Sequence, residues 1–221
     1  MTGELRPQPS STMSSAHPTA TAEPAEESAP TTRCRILAAA ERSFREIGYQ
    51  KTTVADIAKT LKMSPANVYR FFESKKAINE AVVERVTGEI EALIAGIADA
   101  PGPPAEARLR EAIAALHRDT TGRWAGYPRI HEMIEAAMGE SWEVCRNHVD
   151  RIGAVFERIV RDGVRTGEFE AADPAVAGRC VQAAILRHTH PLLVSQSHPE
   201  LEPSLDQMVD FLLRSLRPAR G

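Results

Sequence analysis

The sequence predicts an all-α fold: a small N-terminal three-helix module containing a helix-turn-helix, joined by a long helix to a C-terminal helical bundle. Three observations carry this. Apolar residues recur three and four apart in almost every segment beyond residue 30, and no stretch alternates with a period of two. Ser, Thr or Asp precedes most of these segments, twice with proline next, as helix starts require. Between Thr53 and Lys75 lie two short helical patterns separated by only about three residues, Leu61 to Met63.

Residues 1–30 are rich in Ser, Thr, Ala and Pro and nearly devoid of large apolar side chains. Such a segment cannot bury enough surface to offset its ordering entropy, so a disordered arm is expected. Its Glu4, Glu23, Glu26 and Glu27 outweigh Arg6, which argues against a minor-groove arm. A first helix starts near Thr32, carries Ile36, Leu37, Ala40, Phe44 and Ile47 on one face, and stops at Gly48. The second begins at Thr53, three residues before Asp56, and places Val54, Ile57, Ala58 and Leu61 on one stripe. The third is capped by Ser64, led by Pro65 and extends to Phe72. It buries Val68 with Phe71 or Phe72, the aromatics Phe44, Phe71 and Phe72 being assigned to the core.

Ser74 opens a long helix through Ile78, Val82, Val86, Ile90, Ile94 and Ile97, a strut that ends at Pro101-Gly102-Pro103-Pro104. Further helices are expected from about Pro104 to Arg123 and from Ile130 to Met138. Another should run from a Ser141 cap to Gly167, and another from an Asp173-Pro174 start to about Ser195, interrupted at Pro191. The last starts at Ser204 with Gln207 and carries Leu205, Met208, Val209, Phe211, Leu212, Leu213 and Leu216.

The paired short helices have the form of a reader of a DNA major groove. Asn67 can pair bidentately with adenine, while Tyr69, Arg70 and Lys75 suit phosphate oxygens. Small Pro65 and Ala66 let the backbone approach base edges, and Thr53, Ala55 and Ser64 complete the expected contact set. Residues 31–80 carry ten Lys/Arg against five Asp/Glu, a balance of +5 in a chain whose net charge is −3. A basic module on an acidic body fits nucleic-acid contact by one end.

The run ILAAAERSFREIGYQKTTVADIAKTLKMSPANVYRFFESKKAI resembles the N-terminal domain of the tetracycline-repressor (TetR) family. Phe44, Gly48-Tyr49, Thr52-Thr53, Ile57-Ala58, Val68-Tyr69-Arg70-Phe71-Phe72 and Ser74-Lys75 carry the resemblance. Pro65-Ala66-Asn67 departs from the more polar or glycine-containing triplet common there. The resemblance implies a transcriptional regulator, most often a repressor, with residues 31–79 as DNA-binding domain and 80–221 as effector-binding and dimerisation domain. It also implies a homodimer and an unknown small-molecule effector bound among the body helices. The alternative is a constitutive DNA-binding dimer without an effector.

The final two helices, about Asp173–Ser195 and Ser204–Leu216, are the expected dimer surface. Ala172, Ala177, Gly178, Ala183 and Ala184 permit close approach, and the last helix is apolar over more than one face. Trp124, Tyr127, His131, Trp142, His148 and His188, with Cys145, are polar or aromatic side chains that sit awkwardly in a plain bundle and are the candidates for an effector pocket.

No cofactor or metal site is expected. Cys145 and His148 share a face, but one pair is too few ligands, and His188 and His190 point apart. No GxSxG, HExxH, phosphate-cradling glycine loop or CxxC occurs, so an enzyme is not expected. No apolar run approaches a membrane span, no signal-peptide core is present, and the three cysteines are widely spaced; a cytoplasmic protein is expected.

Overall fold

The computed structural model describes residues 1–3, 31–126, 129–196, 198 and 200–219, with the side chains of 124–126, 130 and 131 left undescribed. The expected disordered arm therefore lies almost wholly outside the described residues. From Thr31 onward the described chain is helical, in the order α1 (Thr32–Glu46), α2 (Val54–Thr60), α3 (Pro65–Tyr69), α4 (Lys75–Ala98), α5 (Ala105–Gly126), α6 (Ile130–Glu140), α7 (Trp142–Thr166), α8 (Pro174–Thr189), α9 (Pro191–Ser195) and α10 (Leu205–Leu216). Among the described residues no helix is long and apolar enough to cross a membrane.

Most helix starts are fixed by the side chains the sequence marked. Thr53 and Asp56 form a reciprocal capping box, as do Ser204 and Gln207. Ser64 accepts from the Asn67 amide, Ser74 from that of Ala77, and Asp173 from those of Ala175 and Val176. Ser141 is the exception. Its hydroxyl donates to Glu80 across to α4 and makes no cap for α7. Gly167, with φ of +78°, ends α7 in the left-handed conformation that glycine adopts without strain. Pro191 divides the segment expected to reach Ser195 into α8 and the single turn of α9, because it cannot supply the next helical N–H.

Two apolar cores form, and α4 contributes to both. The first unites Ile36, Phe44, Ile57, Val68 and Phe72 with Ile78, Val82, Val83 and Val86 of α4 and with Met133, Ala136 and Ala137 of α6. The second joins Ile90, Ile94 and Ala98 of α4 to α5, α7, α8 and α10 around Leu109, Ile113, Phe156 and Ile159. Burying each of the larger side chains, Val, Ile, Leu, Met or Phe, contributes about 1.5–3 kcal/mol, so α4 is held along its whole length. Helix α6, although it follows the body's first helix in sequence, packs into the core of the N-terminal module.

Two packing expectations need correction. Phe71 is 40% exposed and only Phe72 enters the core. The cause is local: α3 closes at Tyr69, and the amides of Phe71 and Phe72 both fold back onto the Val68 carbonyl. Gly178, assigned to the dimer surface, instead faces α7. A Cβ there would lie 2.7 Å from the Glu157 nitrogen, so this glycine sets the α7–α8 distance inside one protomer. Ala177 and Ala184 also pack against the protomer's own core, whereas Ala172 and Ala183 are exposed. What α8 and α10 leave uncovered is Val176, Leu186 and Phe211, the last 62% exposed.

Candidate DNA-reading surface and effector cavity

Helices α2 and α3 are held by Ile57, Ala58 and Val68, all fully buried, and by a turn in which Lys62 takes a positive φ of 55°. For a side chain bearing a Cβ this conformation is uncommon, and it lets Met63 bond back to the Ala58 carbonyl at 3.0 Å. The outer face of α3 then presents Pro65, Ala66, Tyr69 and Arg70 to solvent, with Ser64 at its start and Thr53 and Ala55 exposed on α2. Asn67 is half-buried, its amide nitrogen 3.8 Å from the Met63 sulfur. Lys75 differs from a free phosphate-seeking cation. Its ammonium lies 4.2 Å above the Tyr49 ring and 3.4 Å from the Gln50 carbonyl, and burial lowers its pKa. Tyr49 itself donates to Glu140 at 3.1 Å, and burial, with that carboxylate second, pushes its phenol up to about 12.

Within the body a cavity of about 400 Å³ is walled by α4, α5, α6, α7, α8 and the start of α9. Val86, Ile90, Leu116, Ile152 and Ile185 give it an apolar lining. Of the residues expected to form a pocket, Trp142 and His148 line this cavity, as does Cys145, whose thiol burial shifts upward. His188 is not in the wall. Its backbone carbonyl lies 2.7 Å from Nδ1 of His117, the two rings meet edge to face at 6.4 Å, and its pKa is lowered, first by burial and then by His117. The side chains of Trp124 and His131 and the whole of Tyr127 lie outside the described residues.

The sequence reading missed the polar part of the wall: Asp119, Thr120 and Arg123 of α5, Gln182 of α8, and His190. A signal existed, because Asp119, Thr120 and Arg123 continue the inward stripe of Leu109, Ile113 and Leu116 by one helical turn. Polar residues on a buried stripe mark a cavity or a network. Here Arg123 grips both Asp119 oxygens through Nε at 2.8 and 2.9 Å and reaches Glu89 at 2.9 Å. Burial opposes its charge, yet these carboxylates together raise its pKa. His148 meets Glu91 at 2.6 Å, and Arg151 binds the same carboxylate; against the effect of burial they hold it below its usual pKa.

A larger open groove, of about 930 Å³, borders Pro101–Pro104 and the end of α7. Its arginines are already matched: Arg108 and Arg165 to Asp162, Arg158 to Asp99 and Arg161 to Glu157. It has the character of a surface ion-pair lattice.

Comparison with known proteins agrees with this architecture at both ends of the chain. Residues 36–82 match the family described as bacterial regulatory proteins, tetR family, and residues 105–209 match the tetracyclin repressor-like C-terminal domain. An HTH-type transcriptional regulator of Bacillus subtilis, YhgD, is 23% identical over 147 residues, spanning 63% of this chain and 72% of that one. SmeT, the repressor of the Stenotrophomonas maltophilia multidrug efflux pump SmeDEF, superposes with a TM-score of 0.62 at 24% identity, over 84% of this chain and 90% of its own. The SmeT–triclosan complex gives 0.60 at 23%, over 85% and 92%. FadR of Bacillus subtilis in complex with stearoyl-CoA gives 0.62 at 17%, over 83% and 98%. With a helix-turn-helix and a helical body each matched in place, the chain belongs to the tetracycline-repressor (TetR) family of transcriptional regulators.

Proposed function

We propose that this protein is a dimeric repressor that leaves its operator when a small molecule enters the cavity between α4 and α8. Residues 31–79 serve as the DNA-binding domain and 80–221 as the effector-binding and dimerisation domain, with α4 shared between them. In each protomer α3 enters the major groove, Asn67 reads a base edge, and Thr53, Ser64, Tyr69 and Arg70 set register on the phosphates. Exposed Val176 on α8 and Phe211 on α10 form the centre of the two-fold contact, which spaces the two α3 helices to match half-sites about one helical turn, or a small multiple, apart.

The observation that carries the effector reading is that the helices walling the cavity also hold the reader. Val83, Val86 and Ile90 of α4, with Ile134 and Met138 of α6, face the cavity. The same helices are bonded to the N-terminal module and to each other: Arg129, just before α6, donates to the Ile47 carbonyl, Tyr49 donates to Glu140 at the end of α6, and Asn79 of α4 donates to the Met133 carbonyl of α6. A ligand that spreads α4 from α6 favours a second arrangement of α3, and DNA binding weakens by the ligand's differential affinity for the two arrangements. SmeT and FadR, of similar fold, have been captured with triclosan and stearoyl-CoA respectively, which supports a ligand-holding role for this body.

The test is a footprint on the protein's own promoter region, repeated across a small-molecule library. The proposal expects protection that selected compounds abolish without unfolding the protein. Protection unaffected by any compound that binds the body would leave a constitutive DNA-binding dimer.

A further inference from the structure

We propose that the cavity takes an uncharged, mainly apolar ligand bearing a hydroxyl group, and that the imidazole of His190 is the partner of that hydroxyl. This inference rests on reading the cavity as the effector site, and it narrows the chemistry of what enters.

Charge is the first constraint. The cavity wall contains Arg123, Asp119 and His148, and each already has an oppositely charged or hydrogen-bonding partner. A ligand carboxylate would have to take Arg123 from Asp119 and Glu89, leaving the Asp119 carboxylate short of its partner in a partly buried wall. A ligand cation would have to take Asp119 from Arg123, with the same result in reverse. Breaking a pre-formed pair in a low-dielectric wall costs more than one new contact returns. The surrounding Val86, Ile90, Leu116, Ile152 and Ile185 offer only apolar surface.

Hydrogen-bonding capacity is the second constraint. Thr120 donates to the Thr189 carbonyl at 3.0 Å, and the Gln182 amide donates to the Val149 carbonyl at 2.9 Å. The backbone of His190 is also satisfied, its N–H by Leu186 and its carbonyl by Val194. The Nδ1 atom of His190 is buried and has no hydrogen-bond partner among the described residues. Burial lowers the pKa of this ring and so favours the neutral imidazole, which has one donor and one acceptor nitrogen. A hydroxyl both donates and accepts and therefore satisfies Nδ1 in either tautomer, which a ketone or an ether does not. The position is also suited to a fixed contact: His190 sits at the break between α8 and α9, with Pro191 next to it in the cavity wall. A volume of about 400 Å³ lies within the range of cavities that hold drug-sized ligands.

The experiment uses four probes of one shape, 4-hydroxybiphenyl, biphenyl, biphenyl-4-carboxylate and 4-(aminomethyl)biphenyl, titrated calorimetrically into the full chain. The expected order is 4-hydroxybiphenyl about tenfold tighter than biphenyl, and both charged probes at least about tenfold weaker than the phenol, corresponding to one satisfied hydrogen bond and one broken ion pair. In His190→Phe the phenol's advantage over biphenyl should collapse to within about twofold, and His190→Asn should keep most of it. A readout without substitution is the ¹⁵N resonance of His190 Nδ1 in the wild-type chain, expected to move with 4-hydroxybiphenyl and to stay in place with biphenyl. Equal affinity for the carboxylate or the ammonium overturns the assignment of an uncharged ligand and leaves the proposed effector function standing. A phenol advantage that survives His190→Phe, or an Nδ1 resonance that moves equally with both neutral probes, overturns the role of His190. Binding of none of the four contradicts the cavity as an apolar ligand site, and with it the proposed function.

Discussion

The side-chain amide of Asn79 donates to the backbone carbonyl of Met133 at 3.1 Å, with both residues buried. This one bond ties the second turn of α4 to the first turns of α6, on the N-terminal module's side of both helices. Asn79→Ala removes the donor and opens a small void, so stability should fall by about 1–3 kcal/mol in a urea titration. If α6 transmits occupancy of the cavity, the same variant should also reduce the effector-induced loss of DNA affinity by severalfold, whereas operator affinity without effector should change less. An unaltered ratio of affinities with and without effector would remove this bond from the coupling.

Gly178 and Gly153 make a controlled pair on the α7–α8 interface. A Cβ at 178 meets α7 backbone at 2.7 and 3.0 Å, while one at 153 meets only the flexible Gln182 Oε1, at 3.0 Å. Gly178→Ala should therefore destabilise by about 1–3 kcal/mol through overpacking. Gly153→Ala should be neutral or stabilising by up to about 1 kcal/mol, since alanine is the better helix former. Thermal unfolding of both variants checks this, and equal effects would contradict the close approach.

The proposed dimer contact predicts a change in oligomeric state. Phe211→Glu and Val176→Glu each place a charge on an exposed apolar residue of one protomer, so neither should impair folding. At a two-fold contact each substitution appears twice, and like charges should raise the dimer dissociation constant by at least about a hundredfold in sedimentation equilibrium. A dimer of unchanged affinity would place the contact elsewhere.

His188 and His190 set the expected acid response. Burial lowers both pKa values from 6.5; at His188 the facing His117 and Arg187 add to this and Glu202 opposes it. The unfolded chain thus binds protons that the folded chain refuses, and stability is full above about pH 6.5 and falls as the pH drops below it. Melting temperature should decline from about pH 7.5 to about pH 5.5, and His188→Asn should flatten part of that decline. A profile that rose toward acid would contradict the sign of these shifts.

The helices were legible because their caps and stripes are local. Thr53, Ser64, Ser74, Asp173 and Ser204 mark starts through bonds to amides two or three residues on, and nothing distant is needed to see them. Ser141 misled because its hydroxyl is claimed by Glu80, 61 residues away. Phe71 and Phe72 could not be told apart by periodicity, since α3 ends between Val68 and the pair and the period no longer applies. The cavity was less legible than the reader. Its wall gathers residues from α4 to α9, and Asp119, Thr120, Arg123 and His190 enter it through what lies opposite them, which no sequence pattern displays. Lys75 shows the same limit. Its place in the first turn of α4 suggests phosphate, but the Tyr49 ring beneath it appears only in three dimensions.

Base readout by α3 is the claim on which the account most depends, and selection of bound sequences from a random duplex library with the purified full chain tests it most directly. The account predicts enrichment of a two-fold-related site with half-sites about one helical turn or a small multiple apart, and relaxed preference at one symmetric position when Asn67→Ala is selected in parallel. Failure of the wild-type chain to enrich any sequence at low salt, or an Asn67→Ala site identical to that of the wild type, would contradict it.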